Sequence, residues 1–220
     1  ATLPGITEET MTRALNADYE KVAKRSNTLA KLLSKGNSAR ITTPSGTDIT
    51  MSIQGREGKP DTGLVYTGED FSNLPAGEAY IAPMEKTAEG VYMVDGSMAG
   101  LGLLKKPLTI TVEKGHAVDI KGGAPATKLK KMLDAVGPKA RNIAELGIGT
   151  NDKARLCGSV LEDEKVMGTV HLAIGDNKSM GGRVSVPIHL DGMLLKPTLY
   201  IDDKMIMKNG KMMIDLGDKK

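Results

Sequence analysis

His189 and Asp191 stand two residues apart in a run where Val184, Val186, Ile188 and Leu190 alternate with Ser185, Pro187, His189 and Asp191. In a strand, that spacing sends the imidazole and the carboxylate off the same face toward a common spot. His171 lies in a second β-like run, Thr169 to Ile174, with Glu145 and the cluster Glu162-Asp163-Glu164 upstream. Two imidazoles with several carboxylates form a ligand set suited to a divalent transition metal, as one ion or a pair. The bland alternative makes each histidine an ordinary hydrogen-bonded residue and Glu162 to Lys165 the solvated face of a helix end. Concentration favours the metal. Two of the chain's three histidines fall in one short segment, among glycines (Gly147, Gly149, Gly168, Gly175, Gly181, Gly182) that let backbone turn tightly around a site.

The elements that must position these residues read as an α+β chain: an N-terminal amphipathic helix followed by a β-rich metal-site domain. Met11, Leu15, Tyr19, Val22, Leu29 and Leu33 recur at helical steps and predict one long helix over Thr7–Lys35, with Thr7 as N-cap and Gly36-Asn37 as the stop. Ser38 to Gln54 alternates around Pro44-Ser45-Gly46 and predicts a hairpin. Gly55 to Asp70, rich in Gly, Pro, Lys and Asp, reads as a long loop. Short strands are expected at Gly77–Ala82, Gly90–Val94, Leu108–Val112 and Ala117–Ile120, then helices at Pro125–Val136 and Asp152–Leu161. Paired strands follow around Asp202-Asp203 and Asn209-Gly210. The expected division is residues 1–70, a helix with hairpin and loop, and 71–220, the β-rich domain carrying the metal site.

Composition excludes several functions. The net charge is +3 with the two signs interspersed, which leaves no electrostatic footprint for nucleic acid or membrane. One Phe, five Tyr and no Trp offer no stacking platform for single strands. The basic cluster Lys128-Leu129-Lys130-Lys131 reads as a wet helix face. The single Cys157 rules out an intrachain disulfide and a cysteine zinc cage, so a reducing, cytoplasmic setting is expected. Nor is there an apolar run of membrane-spanning length. Gly100-Leu101-Gly102 and Gly147-Ile148-Gly149 do not extend into a dinucleotide fingerprint, and neither a phosphate loop nor a G-x-S-x-G elbow is present. His116, at a turn, reads as a surface residue.

Five segments in order support a family resemblance. Asn73-Leu74-Pro75-Ala76-Gly77-Glu78, Ala144-Glu145-Leu146-Gly147, Leu161-Glu162-Asp163-Glu164, Val170-His171-Leu172-Ala173-Ile174-Gly175 and His189-Leu190-Asp191 together resemble the motifs of the aminopeptidase T and aminopeptidase S metallopeptidases. The resemblance implies a dimeric metalloaminopeptidase, a hydrolase acting on a peptide or small-molecule substrate. Its metal ligands would be Glu78, Glu145, Glu164, His171, His189 and Asp191, holding zinc, cobalt, manganese or magnesium. Such paired ions activate a water to attack the first peptide bond. The family's tyrosine after H-x-A-x-G is replaced by Asp176-Asn177-Lys178-Ser179, so no catalytic residue is assigned.

Two other readings remain open. His171, His189 and Asp191 alone make the two-histidine, one-carboxylate triad of non-haem iron(II) oxygenases. A ring-cleaving dioxygenase acting on 2,5-dihydroxypyridine resembles the aminopeptidase T family in this same region. The third reading is a non-catalytic binding domain with a relic metal site.

Overall fold

The computed structural model describes residues 1–3, 5–68 and 72–217. Helix α1 (Glu8–Arg13) is capped by Thr7, whose hydroxyl accepts from the Thr10 N–H. A 3-10 turn at Ala14–Asn16 follows, and α2 (Tyr19–Lys35) starts afresh with the Asp18 carboxylate accepting from the Lys21 N–H. The single helix expected over Thr7–Lys35 is therefore two, because Asp18 adopts extended backbone and caps a new start. Val22, Leu29 and Leu33 of α2 are fully buried, whereas Met11 is exposed.

The strands follow in chain order. β1 (Ser38–Thr42) and β2 (Asp48–Ser52) form the expected hairpin, and β3 (Lys59–Asp61) breaks the expected long loop, whose residues 69–70 lie outside the described residues. β4 (Glu78–Ile81), β5 (Glu89–Val94), β6 (Ser97–Met98), β7 (Gly102–Leu103), β8 (Leu108–Glu113) and β9 (His116–Lys121) lead to helix α3 (Ala124–Val136). Then come β10 (Ile143–Gly149), the short helix α4 (Val160–Asp163), β11 (Val170–Gly175), β12 (His189–Leu194), β13 (Thr198–Ile201), β14 (Lys204–Lys208) and β15 (Lys211–Met212). The helix expected over Asp152–Leu161 reduces to α4. Asn151 Oδ1 accepts from the N–H groups of Lys153 and Ala154, and this local turn competes with helix over the intervening residues.

Among the described residues the strands form two antiparallel sheets, ordered β15-β14-β13-β1-β2-β5-β8-β9 and β3-β4-β10-β11-β12-β6-β7. The hairpin β1–β2 sits inside the first sheet, between β13 and β5, and β3 is the edge of the second. Residue 70 thus divides neither sheet, and the expected boundary there has no counterpart in strand pairing. One continuous core joins Ile41, Ile49 and Ile53 of the first sheet region to Ile81, Leu146, Ile148 and Leu172 of the second, with Leu29 and Leu33 of α2 added. Burial of these aliphatics supplies the main driving force for folding. No helix among the described residues is long and apolar enough to cross a membrane.

Glu162 is not a solvated helix-end residue. Its Oε2 accepts from the Thr10 hydroxyl at 2.7 Å, and its Oε1 accepts from Arg13 Nε at 3.1 Å and Nη2 at 2.7 Å and from the Arg155 N–H at 3.0 Å. Burial opposes ionisation, yet the bonds from Thr10, Arg13 and Arg155 together hold the carboxyl below its usual range. This contribution to stability is complete above the ordinary glutamate value and is lost as pH falls through the lower folded value. Glu162→Gln is expected to cost about 2 kcal/mol, since it breaks a largely buried pair whose arginine keeps some solvent contact. Urea melts across the acid range should show a flatter acid limb for the variant, and parallel pH profiles would refute the assignment.

Candidate metal centre

The second sheet has one apolar face and one chemical face, and strand alternation separates them. Ala79, Ile81, Leu146, Ile148, Val170, Leu172, Leu190 and Leu194 are buried in the core. Their alternates Glu78 and Tyr80 on β4, Glu145 and Gly147 on β10, His171 and Ala173 on β11, and His189 and Asp191 on β12 share the opposite face. Register makes them neighbours: Tyr80 opposes Gly147, Gly147 opposes His171, Glu145 opposes Ala173, and Ala173 opposes Asp191. The side chains beside the ligand types are thus a glycine and an alanine. A Cβ on Gly147 would overlap Nε2 and Cε1 of His171, so the missing side chain is the space that ring fills.

Two groups of donor atoms converge there, Glu78 with Glu145 and His171, and Glu145 with His189 and Asp191, the atoms of each group lying within 4.8 Å of one another. His171 Nε2 is 3.0 Å from Glu78 Oε2 and 3.3 Å from Glu145 Oε1. His189 Nε2 is 3.1 Å from Glu145 Oε2 and 3.4 Å from Asp191 Oδ1. The other ring nitrogen of His189, Nδ1, donates to the Asp176 carbonyl at 2.7 Å. That bond fixes the tautomer and aims Nε2 inward, as second partners of metal-bound histidines do. Glu145 is the hinge of the arrangement, one oxygen toward each imidazole.

Burial disfavours charge on Glu78, Glu145, His171 and His189, but mutual pairing overcomes it. The His189 imidazole is pushed up to about 12 by bonds to Asp191 and Glu145, and Glu145 is held down to about 2 by His171 and His189. His171 is raised well above its ordinary value by Glu145 and Glu78 against the pull of burial. The donors fit a divalent cation: within each group buried carboxylate oxygens and imidazole nitrogens converge, the two groups sharing Glu145, and Glu78 Oε2 is buried with no aligned hydrogen-bond donor.

Five of the six ligand candidates read from the sequence therefore converge. The sixth, Glu164, belongs to neither group and its Oε1 meets Lys165 Nζ at 2.8 Å. Burial near Glu78 and Asp191 raises its carboxyl to about 8 despite that lysine. Asp163 is turned away altogether, accepting from the Cys157 and Gly158 N–H groups. Sequence reading missed Lys165, Asp61 and Tyr80. Tyr80 had a signal, two residues after Glu78 in a strand. Lys165 had none, because beside three acidic residues it reads as a surface ion pair.

The site opens on a cleft of about 390 Å³ that also involves Pro60, Tyr80, Ser179 and Met180. A larger cavity of about 880 Å³ lies between α2 and β13–β14, lined by Thr28, Lys31, Leu32 and Ile201. It holds no histidine and no convergent ligand group, so the smaller cleft is the candidate site.

Comparisons with known proteins bear on the chemistry. Residues 7–214 match the family model described as NicX, 2,5-dihydroxypyridine 5,6-dioxygenase. The curated 2,5-dihydroxypyridine 5,6-dioxygenase of Pseudomonas putida KT2440 is 24% identical over 215 residues, covering 92% of this chain and 61% of the relative. The solved 2,5-dihydroxypyridine dioxygenase of Pseudomonas putida KT2440 superposes with a TM-score of 0.85 at 22% identity, over 94% of this chain and 63% of that one. Wild-type AmpT from Thermus thermophilus superposes with a TM-score of 0.75 at 21% identity, over 97% of this chain and 62% of that one. The chain thus spans about three fifths of the length of these relatives. The match to the dioxygenase family overturns the expectation of an aminopeptidase-like hydrolase, and the likeness to AmpT is one of fold. The five motifs pointed to a fold relationship with AmpT, and that fold hosts more than one chemistry.

Proposed function

The chain belongs to the 2,5-dihydroxypyridine 5,6-dioxygenase family, and on that premise we propose that it provides the iron(II) site of a ring-cleaving dioxygenase for a dihydroxylated pyridine. One observation carries the reading: His171, His189 and Asp191 stand on one sheet face beside an open cleft, and two imidazoles with one carboxylate are the donor set of non-haem iron(II) oxygenases. Iron(II), when bound, supplies the redox-active centre at which an aromatic diol and dioxygen can react.

The chain's own residues do the positioning. Gly147 leaves room for the His171 ring, and the Asp176 carbonyl orients His189. Tyr80 lines the cleft, and burial together with the charges of Glu78 and Glu145 raises its phenol to about 12. It therefore keeps its proton at neutral pH and serves as a donor to a ring oxygen. Pro60 and Met180 offer apolar surface to a flat ring. Both atoms of dioxygen enter the opened ring, so no external reductant is consumed.

The test is oxygen uptake by the chain loaded anaerobically with iron(II), with 2,5-dihydroxypyridine as substrate. One dioxygen consumed per ring lost is expected, and bound iron without substrate-dependent uptake would overturn the reading. Glu145→Gln should keep one ion per chain but bind it about 10- to 100-fold more weakly, the usual cost of losing a partner to ligating imidazoles. Metal titration checks this, and unchanged affinity would remove Glu145 from the site.

A further inference from the structure

We infer that Glu85 and Arg56, which stand outside the donor groups and the cleft, are positioning residues that clamp the connection between β11 and β12, the segment that orients His189 and walls the cleft. The inference rests on the metal centre proposed above and names what holds it in shape. The connection, residues 176–188, carries the Asp176 carbonyl that accepts from His189 Nδ1 at 2.7 Å, and its Asp176, Ser179 and Met180 line the cleft. A ligating ring follows the partner of its second nitrogen, so a segment with this task must keep its place to within about 0.5 Å.

Inside the connection the bonds are local. Asn177 Oδ1 accepts from the Val184 N–H, and the Asn177 carbonyl accepts from the Met180 and Gly182 N–H groups around the 3-10 turn Lys178–Met180. A Cβ on Gly182 would overlap the Asn177 amide, so the loop has no slack there. These bonds shape the loop without tying it to the body of the protein. Glu85, in the turn between β4 and β5, supplies the tie. Its Oε1 accepts from the Arg183 N–H at 2.7 Å and from Asn177 Nδ2 at 3.1 Å. Its Oε2 accepts from Arg56 Nη2 at 2.5 Å, and Arg56 Nη1 donates to the Gly181 carbonyl. The clamp thus grips positions 177, 181 and 183, which bracket Ser179 and Met180. With Arg56 9% and Glu85 16% exposed, this is not a solvated surface pair of little consequence, and charge-assisted bonds of this kind are short and directional. Among the described residues neither side chain belongs to a convergent donor group, and neither lines the cleft, so their effect on the site passes through the loop.

Cobalt(II) added to the whole protein tests this, because its visible bands read ligand geometry and its titration reads affinity. Glu85→Ala is expected to shift the bands and to weaken cobalt(II) binding about 10-fold, the lower end of the range for disturbing the outer partner of a ligating imidazole. Ile49→Val, a fully buried position on β2 in the other sheet, is the stability control. Its melting temperature should fall while bands and affinity stay at the wild-type values. Glu85→Gln keeps the shape of the side chain but turns an amide N–H2 on either Arg56 or the loop donors, and it is expected to shift the bands in the same direction by less. Wild-type bands and affinity in Glu85→Ala, however far its melting temperature falls, overturn the positioning role and leave the metal centre intact. Should Glu85→Ala fail to fold, wild-type bands and affinity in Glu85→Gln have the same consequence. Equal shifts in Ile49→Val and Glu85→Ala overturn it too, since lost stability alone would then suffice. A wild type that takes up no cobalt(II) overturns the metal centre itself, and the oxygen-uptake assay judges the dioxygenase reading separately.

Discussion

Gly147→Ala is expected to cost the protein most of its metal affinity while leaving both sheets in place. Gly147 lies in β10 with Tyr80 on one side and His171 on the other, and a methyl group there would overlap the imidazole at Nε2, the atom that faces Glu78 and Glu145. The ring would have to swing aside, and a displaced ligand nitrogen weakens a metal site at least as much as a lost second partner, about 10- to 100-fold. Overpacking of this kind costs about 1–3 kcal/mol, within the 5–15 kcal/mol or so by which domains are stable. Ile148→Val is the control. It removes one methylene from the neighbouring core position at about 1 kcal/mol, so its melting temperature should fall comparably while its metal affinity stays at the wild-type value. Equal metal binding by Gly147→Ala and Ile148→Val would show that the glycine is not there to seat His171.

Local chemistry was legible in the sequence, and long-range pairing was not. The Pro44-Ser45-Gly46 turn gave β1–β2, and Asn209-Gly210 gave β14–β15, because turn residues act on their immediate neighbours. The spacing of His189 and Asp191 placed both on one face of β12, a consequence of strand geometry alone, although the strand begins only at His189. Nothing in the chain announces that β1 pairs with β13 or that β4 lies beside β10, since such contacts depend on how whole sheets close. The break at Asp18 and the turn at Asn151 were hidden for another reason. Short polar side chains compete with the helix for backbone hydrogen bonds, and hydrophobic spacing does not record that competition.

The chemistry itself was misread for a physical reason. Imidazoles and carboxylates are common to hydrolytic and oxidative metal centres, so a residue list cannot separate them. What separates them here is the match to the dioxygenase family, which no list of donor residues contains. Glu164 and Asp61 are spent on Lys165, a residue whose depth depends on the segment after α4 folding back along Asn151. Tyr80, in turn, brings a phenol to the cleft from β4, whereas the sequence motifs directed attention to the stretch after β11.

Asp191→Ala is expected to have the largest effect of any single change. Asp191 is buried on β12, opposite Ala173, with its Oδ1 3.4 Å from His189 Nε2. Within the proposed triad it is the only carboxylate, so its loss leaves two neutral imidazoles to hold a divalent ion. Removing a direct ligand should exceed the roughly 100-fold upper range for outer partners. Iron content after gel filtration should fall close to zero, and ring-dependent oxygen uptake should fall with it. Asp176→Ala is not a silent control despite its place outside the donor groups. Its carboxylate accepts from the Lys178 and Val186 N–H groups, holding the loop whose carbonyl orients His189. Asp203→Ala, at an exposed position in the turn between β13 and β14, is the neutral reference. Asp191→Asn adds a discriminating arm, because the amide keeps the shape of the side chain but supplies only a weak neutral donor to the ion. Iron retained by Asp191→Ala at the level of Asp203→Ala would exclude Asp191 from the coordination shell, leaving the ion to His171, His189, Glu78 and Glu145.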